Sequence, residues 1–284
     1  MELFNFIWHK SKNQAGLDEN SEMLWPVKPK DSKNDLQYVF QPDTGAPYSV
    51  LFSSSVSGLP IESDRKSTAT LSFNIEGMQF RHTFRMIDLR AEQEKKLAEI
   101  AEQGKVFLGL LGMDFFAGRT LLIDFPNRLA GIDNALHSPS TPLFKNATNL
   151  HAKIKEDRII LPVNFGSYSL QMLYDSGASP VSMIVSYDHW KEITGKNASD
   201  RDNLITTLPG VADEFTLVIA RSKHPVVVGN LKFSYPLVGF EREDKFYLEA
   251  QSFEGIIGNQ LFLPDHYLLI DFVNKSVYGD RNSK

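Results

Sequence analysis

The chain has 284 residues, 42 % of them hydrophobic and 23 % charged, with a net charge of −5. That is an ordinary balance for a soluble globular protein, and two lobes of ~140 residues would fit the length. The mild acidity leaves no electrostatic footprint for nucleic acid, and the absence of cysteine excludes disulfides, thiolate nucleophiles and thiolate-bound metals.

Along the chain, Met1 to Lys10 holds a short apolar stretch followed, not preceded, by basic residues, the wrong order for a signal peptide. No uncharged run approaches the ~18 residues of a membrane span. With Met1 as the native start, the expectation is a cytoplasmic protein with no membrane contact; a trimmed N-terminus would reopen a secreted or periplasmic location. Residues 1 to about 24 fit an extra strand, a strap across the lobes or a short propeptide. Thr68 to Ile75, a Glu76-Gly77 turn and Met78 to Ile87 read as a hairpin, with Leu71, Phe73 and Ile75 alternating. Leu89 to Gln103, rich in Ala, Glu and Lys and stopped by Gly104, reads as a solvated surface helix with Leu97 and Ile100 on one face. Asp133 to Pro142 is rich in Ser, Pro and Asn and reads as a linker, dividing the chain into lobes at 1–135 and 136–284. Ile159 to Phe165, a Gly166-Ser167 turn and Tyr168 to Tyr174 form a second predicted hairpin, running into Asp175. Tyr187 to Thr194 reads as a short helix ended by Gly195. Thr216 to Ala220, Val226 to Val228 and Leu231 to Leu237 read as strands. So many short strands predict a barrel or sandwich in each half.

An internal repeat organises the chain. Leu36-Gln-Tyr-Val-Phe-Gln-Pro-Asp43-Thr-Gly-Ala is echoed by Leu170-Gln-Met-Leu-Tyr-Asp175-Ser-Gly-Ala. Downstream, Leu110-Leu-Gly112 leads to Leu121-Leu-Ile-Asp124-Phe125, and Ile256-Ile-Gly258 leads to Leu268-Leu-Ile-Asp271-Phe272. The two motifs recur in the same order at similar spacing: residues 43 to 112 and 112 to 124 in one half, 175 to 258 and 258 to 271 in the other. A lone Asp-Ser-Gly more often marks an Asx turn; the duplication overrides that reading for Asp43 and Asp175. Asp124 and Asp271, at the end of an apolar strand in each half, read as structural.

These segments resemble the aspartic peptidases of the pepsin and retropepsin kind. Alanine after the glycine, at Ala46 and Ala178, is more like retropepsin; two copies in one chain is more like pepsin. The resemblance covers nearly the whole chain beyond about residue 24 and is sharp at the four motif segments. It implies a mainly β, bilobal acid-protease fold of two similar β-barrel-like lobes related by a pseudo-two-fold axis. It also implies an aspartic endopeptidase, a monomer acting on a peptide or protein substrate, with no metal and no cofactor. Asp43 and Asp175 would be the catalytic pair. Thr44 and Ser176 would lock the two loops together across the lobes, Gly45 and Gly177 would allow sharp turns, and Gly112 and Gly258 would pack behind the loops.

Two departures favour a rival, a catalytically inactive peptide- or protein-binding homologue. Pro42 directly precedes Asp43 and predicts an irregular loop, and neither half shows a glycine-rich flap or a flap tyrosine. Alignment places the flaps within Ser53 to Lys66 and Asn203 to Asp213, with Ser57-Gly-Leu-Pro60 and Leu208-Pro-Gly210 as tips. Other signals are blander: the seven histidines lack metal-ligand spacing, and no Gly-x-Ser-x-Gly elbow surrounds Ser176 or Ser179. Asn146-Ala-Thr and Asn197-Ala-Ser matter as sequons only in a secreted protein.

Overall fold

The architecture was determined from a computed structural model, which describes residues 1–10, 22–32, 35–63, 67–89, 91–133, 147–155, 157–178, 181–209, 214–246, 248, 251–263 and 265–281. The N-terminal half runs β1 (Glu2–Asn5), β2 (Ile7–His9), β3 (Glu22–Pro29), β4 (Gln37–Pro42), β5 (Val50–Phe52), β6 (Glu62–Ser63), β7 (Thr68–Ile75), β8 (Met78–Ile87), α1 (Ala91–Glu102), β9 (Lys105–Leu111), α2 (Met113–Phe116), β10 (Thr120–Asp124) and β11 (Leu129–Asp133). The C-terminal half runs β12 (Thr148–Asn149), β13 (Lys153–Lys155), β14 (Arg158–Phe165), β15 (Tyr168–Tyr174), β16 (Met183–Val185), α3 (Tyr187–Thr194), β17 (Leu204–Pro209), β18 (Glu214–Arg221), β19 (Val226–Val228), β20 (Leu231–Phe233), β21 (Leu237–Glu241), β22 (Gly255–Ile257), β23 (His266–Asp271) and β24 (Ser276–Arg281).

Local sequence explains the hairpins. In β7 the residues alternate strictly between the core and the half-exposed face, the period-2 pattern of a strand with one wet side. Glu76 and Gly77 both take positive φ, 42° and 93°, which is the geometry a two-residue hairpin turn needs. The β14–β15 hairpin closes the same way around Gly166, at φ 68°. Helix α1 buries Ile100 against an apolar cluster with Leu97 at its edge, as its one-sided pattern predicts. The predicted strand Leu231 to Leu237 is two strands: it breaks after Phe233 and resumes at Leu237, with Tyr235 between them at φ 46°.

The two halves share one topology. The N-terminal sheet has the order β2-β3-β4-β9-β5-β8-β7-β6, and β3 also pairs with β7, closing a six-stranded barrel. The C-terminal sheet repeats the order as β14-β15-β22-β16-β21-β18-β17, with β13 on β14. Even the directions repeat: β4 runs parallel to β9 and β15 parallel to β22, while β5 and β16 run antiparallel to those same partners. The halves meet in a six-stranded sheet, β1-β11-β10-β23-β24-β12. At its centre Leu122 faces Leu269, and the flanking pairs Leu121–Ile270 and Ile123–Leu268 exchange equivalent positions. The pseudo-two-fold axis therefore passes between Leu122 and Leu269. The molecule is mainly β and bilobal.

Residues 1–10 form strands, not a strap: β1 edges the shared sheet and β2 pairs with β3. The two large sheets draw on β2–β9 and on β13–β22; most of the predicted linker, and the boundary at 135/136, lie outside the described residues. Asp124 and Asp271 each end a central strand and accept hydrogen bonds from the backbone and side-chain amides of Asn127 and Asn274. Arg128 and Lys275 follow at φ 54° and 55°, so this turn is itself duplicated and both aspartates serve it. No helix among the described residues is long and apolar enough to cross a membrane.

Candidate active site

Strands β4 and β15 deliver Asp43 and Asp175 to adjoining loops at the lobe interface. The strand behind each loop fixes its start: Asp43 N–H donates to Leu111 O and Asp175 N–H to Ile257 O, both at 2.9 Å. Each loop then turns back on its own carboxylate. Asp43 Oδ1 accepts from the N–H groups of Gly45 and Ala46 at 3.0 Å, and Asp175 Oδ1 accepts from Gly177 N–H at 2.7 Å.

The carboxyl groups of Asp43 and Asp175 lie against each other, close enough for each to act on the other's ionisation. The glycines make this approach sterically feasible. A Cβ on Gly45 would sit 2.4 Å from Asp175 Cγ, and one on Gly177 would sit 2.8 Å from Asp43 Cγ. Each carboxyl thus rests on the bare backbone of the opposite loop. Both aspartates are half-buried while Thr44 and Ser176 are fully buried.

Thr44 and Ser176 lock the loops reciprocally. Thr44 N–H donates to Ser176 Oγ and Ser176 N–H to Thr44 Oγ1, both at 3.0 Å. The hydroxyls donate onward across the interface, Thr44 to Tyr174 O at 3.0 Å and Ser176 to Pro42 O at 2.9 Å. Four buried bonds, each crossing between lobes, leave neither hydroxyl nor either amide unsatisfied.

Pro42 leaves the hydrogen bonds of its loop intact; the irregularity in this lobe lies earlier in the strand, a register shift between Val39 and Phe40 where β4 pairs with β9. Because Asp43 donates to β9, the nitrogen of the preceding residue points the other way, toward β3. That strand's pairing with β4 ends at Phe40, so no ladder bond needs an N–H at Pro42, and its carbonyl still serves Ser176.

Gly112 and Gly258 lie where predicted, but their supports differ. Gly112 N–H donates to Ser49 Oγ at 3.0 Å, and Ser49 in turn donates to Asp114 Oδ1 at 2.6 Å. His82 Nε2 stands 3.5 Å from the other oxygen of Asp114. Gly258 N–H donates to the backbone of Ser182 at 3.0 Å. There the buried Asn259 side chain takes over, donating to Ser176 O and accepting from Tyr174 OH, both at 2.8 Å. Gln41 adds a further link across the lobes, donating to Gly177 O at 3.3 Å. These supporting residues carry no local motif. Gln41, Tyr174, Asp114 and Asn259 lie inside or within two residues of the duplicated Asp and Gly segments, the one signal available for them; Ser49 and His82 carry none.

The site's electrostatics follow from crowding. Burial first, and then the Asp43 charge, hold the Asp175 carboxyl well above the ordinary aspartate range, against the opposing pull of the Gly177 and Ala178 N–H groups. The pair therefore keeps one proton where an isolated aspartic acid has lost it. For Asp114, burial acts upward, but the contacts of His82 and Ser49 outweigh it and hold the pKa below the usual value.

The hairpins β6–β7 and β17–β18 occupy equivalent places in the two sheets, but only their first strands, β6 and β17, fall within the predicted flap windows; β7 and β18 lie beyond them. Ser57 to Pro60 is not a hairpin tip: it joins a 3-10 turn at Ser53–Val56 to β6. Residues 64–66 and 210–213, between the paired strands in sequence, lie outside the described residues. Among the described residues no group of three or more His, Asp or Glu is placed to hold a metal. No protein-family model matches the chain, and no curated protein matches it.

Proposed function

We propose that this protein is an aspartic endopeptidase that hydrolyses peptide bonds with a water activated between Asp43 and Asp175. The observation that carries the reading is the closely apposed pair of carboxyls contributed by two duplicated loops, each seated on the other loop's glycine. Two carboxyls this close share one proton, giving an acid and a base in one site. The ionised member takes a proton from water as the oxygen attacks the peptide carbonyl. The protonated member donates to the carbonyl oxygen, forming a gem-diol. Collapse of that intermediate breaks the C–N bond, with one carboxyl delivering a proton to the departing amine. The buried Thr44–Ser176 lock supplies the rigidity this exchange needs.

The test is cleavage of a mixed peptide library at several pH values by the wild type, Asp43→Asn and Asp175→Asn, with binding of a statine-type transition-state analogue measured alongside. Cleavage by the wild type alone, unaffected by EDTA, supports the proposal. Analogue binding without cleavage by the wild type would replace it with the inactive peptide-binding homologue.

A further inference from the structure

Away from the carboxylate pair, the C-terminal lobe carries a pocket of about 380 Å³ between the start of α3 and the end of β21. That volume lies within the range of small-ligand sites. Its walls are aromatic: Tyr187 and Phe240 meet edge to face at 5.0 Å, and Phe246 is braced by stacking on Phe215 at 4.4 Å. Tyr187 is 41 % exposed, so an apolar guest finds an open ring there.

Glu241 lines the same pocket and is 7 % exposed. Its Oε2 accepts the backbone N–H groups of Glu243 and Lys245, at 3.0 and 2.5 Å. Its Oε1 is buried and has no hydrogen-bond partner among the described residues. A carboxylate oxygen withdrawn from water and left without a donor is costly, and a cationic donor entering the pocket would remove that cost. Asp188 and Asp244 line the exposed side. Arg242 also lines the pocket but forms no ion pair with Glu241, so three carboxylates face one guanidinium.

We propose that this pocket binds a protonated amine or guanidinium carried on an apolar stem: the charge meets Glu241 and the stem lies against the rings, where cation–π attraction adds to the fit. The chemistry is shared by the side chain of a lysine or arginine in a polypeptide and by a free alkylamine. Phe246 and Leu248 pack in one apolar cluster with Leu173 and Ala178, which flank Asp175, so an occupied pocket is joined to the catalytic loop through packed side chains.

The experiment is calorimetric or NMR titration of the wild type with N-acetyl-lysine methylamide, its uncharged analogue N-acetyl-norleucine methylamide, which lacks the ammonium, butylamine and a lysine-containing hexapeptide. The lysine probe saturates and the norleucine probe binds about tenfold or more weakly. Glu241→Gln keeps an oxygen for the two backbone donors but offers the guest an amide NH₂, and weakens the lysine probe by a similar factor of about ten. If that variant fails to fold, Asp188→Asn/Asp244→Asn, both exposed, carries the test with an expected loss of roughly threefold. Preference for the hexapeptide over butylamine assigns the guest to a polypeptide side chain; equal affinity assigns it to a free amine. Equal binding of the lysine and norleucine probes, no saturation by any probe, or unchanged affinity in the variants overturns the proposal. No outcome depends on peptide cleavage, so failure here and failure of the peptidase reading are separable.

Discussion

The two lobes reach the same loop geometry with different supports. The N-terminal sheet closes on itself through β3 and β7, and its Gly112 is held by a polar relay of Ser49, Asp114 and His82. In the C-terminal sheet β14 pairs instead with β19, which with β20 adds a hairpin where the first barrel closes. There a neutral amide, Asn259, braces the loop. On their shared strand order, what the halves hold in common at the site is the carboxyls, the hydroxyls and the glycines. Under the proposed function, divergence between the halves separates the groups the reaction would need from those that merely support them.

The strongest break of that equivalence would come from the carboxyls themselves. Asp43→Asn and Asp175→Asn should each lower kcat/KM by about 10³-fold or more, because a shared proton needs both members. Residual activity much larger in one variant would show that the halves are not chemical equals.

Next in size are the glycines behind the loops, both at φ values open to any residue, −84° and −95°. A Cβ at Gly258 would lie 1.6 Å from Ala178 O, and one at Gly112 would lie 2.5 Å from the Tyr48 carbonyl carbon. Gly258→Ala and Gly112→Ala should each cost more than ~3 kcal/mol, the former more. Urea denaturation measures both, and the reverse order would mean that the closed barrel is the less forgiving lobe.

Smaller losses are expected at the lock. Thr44→Ala and Ser176→Ala each remove a donor and an acceptor and strand a buried partner, costing ~1–3 kcal/mol. Thr44→Ser should restore most of it. Matching losses would show the lock to be symmetric energetically as well as geometrically.

The sequence made the duplicated motifs legible because they are local: an apolar strand ending in Asp-Thr/Ser-Gly leaves little choice of conformation. The β7–β8 and β14–β15 hairpins were legible for the same reason, through alternation and a glycine at positive φ. The turn Asp271-Phe-Val-Asn-Lys275, matching Asp124-Phe-Pro-Asn-Arg128, was written in the chain but not extended from the repeat. The pairing of Leu122 with Leu269, the closure of β3 on β7 and the Ser49–Asp114–His82 relay were not legible. Each joins residues far apart in sequence, and the alternation of a strand fixes its face but not its neighbour.

The smallest expected effect separates the lobes by pH. Asp175 has a folded-state pKa raised above the unfolded value, so its contribution to stability is complete below about pH 3.9 and is lost as pH rises through its raised folded pKa. Asp114 has a lowered pKa, so its contribution is present above about pH 3.9 and is lost as pH falls through its folded pKa. Asp175→Asn removes one charge from a repelling pair and should raise Tm at pH 7 by ~2–4 °C, corresponding to about 1 kcal/mol, with the gain vanishing near pH 3. Asp114→Asn should lower Tm at pH 7, and that loss should shrink toward pH 3. Melting curves of the three proteins from pH 3 to pH 8 decide it. Parallel curves would show that neither carboxyl is perturbed by its lobe. A crossing pattern would show one lobe's support favouring acid and the other's favouring neutrality, confining maximum stability to a mildly acidic window. A bell-shaped kcat/KM profile in that same window is the matching expectation for the shared proton.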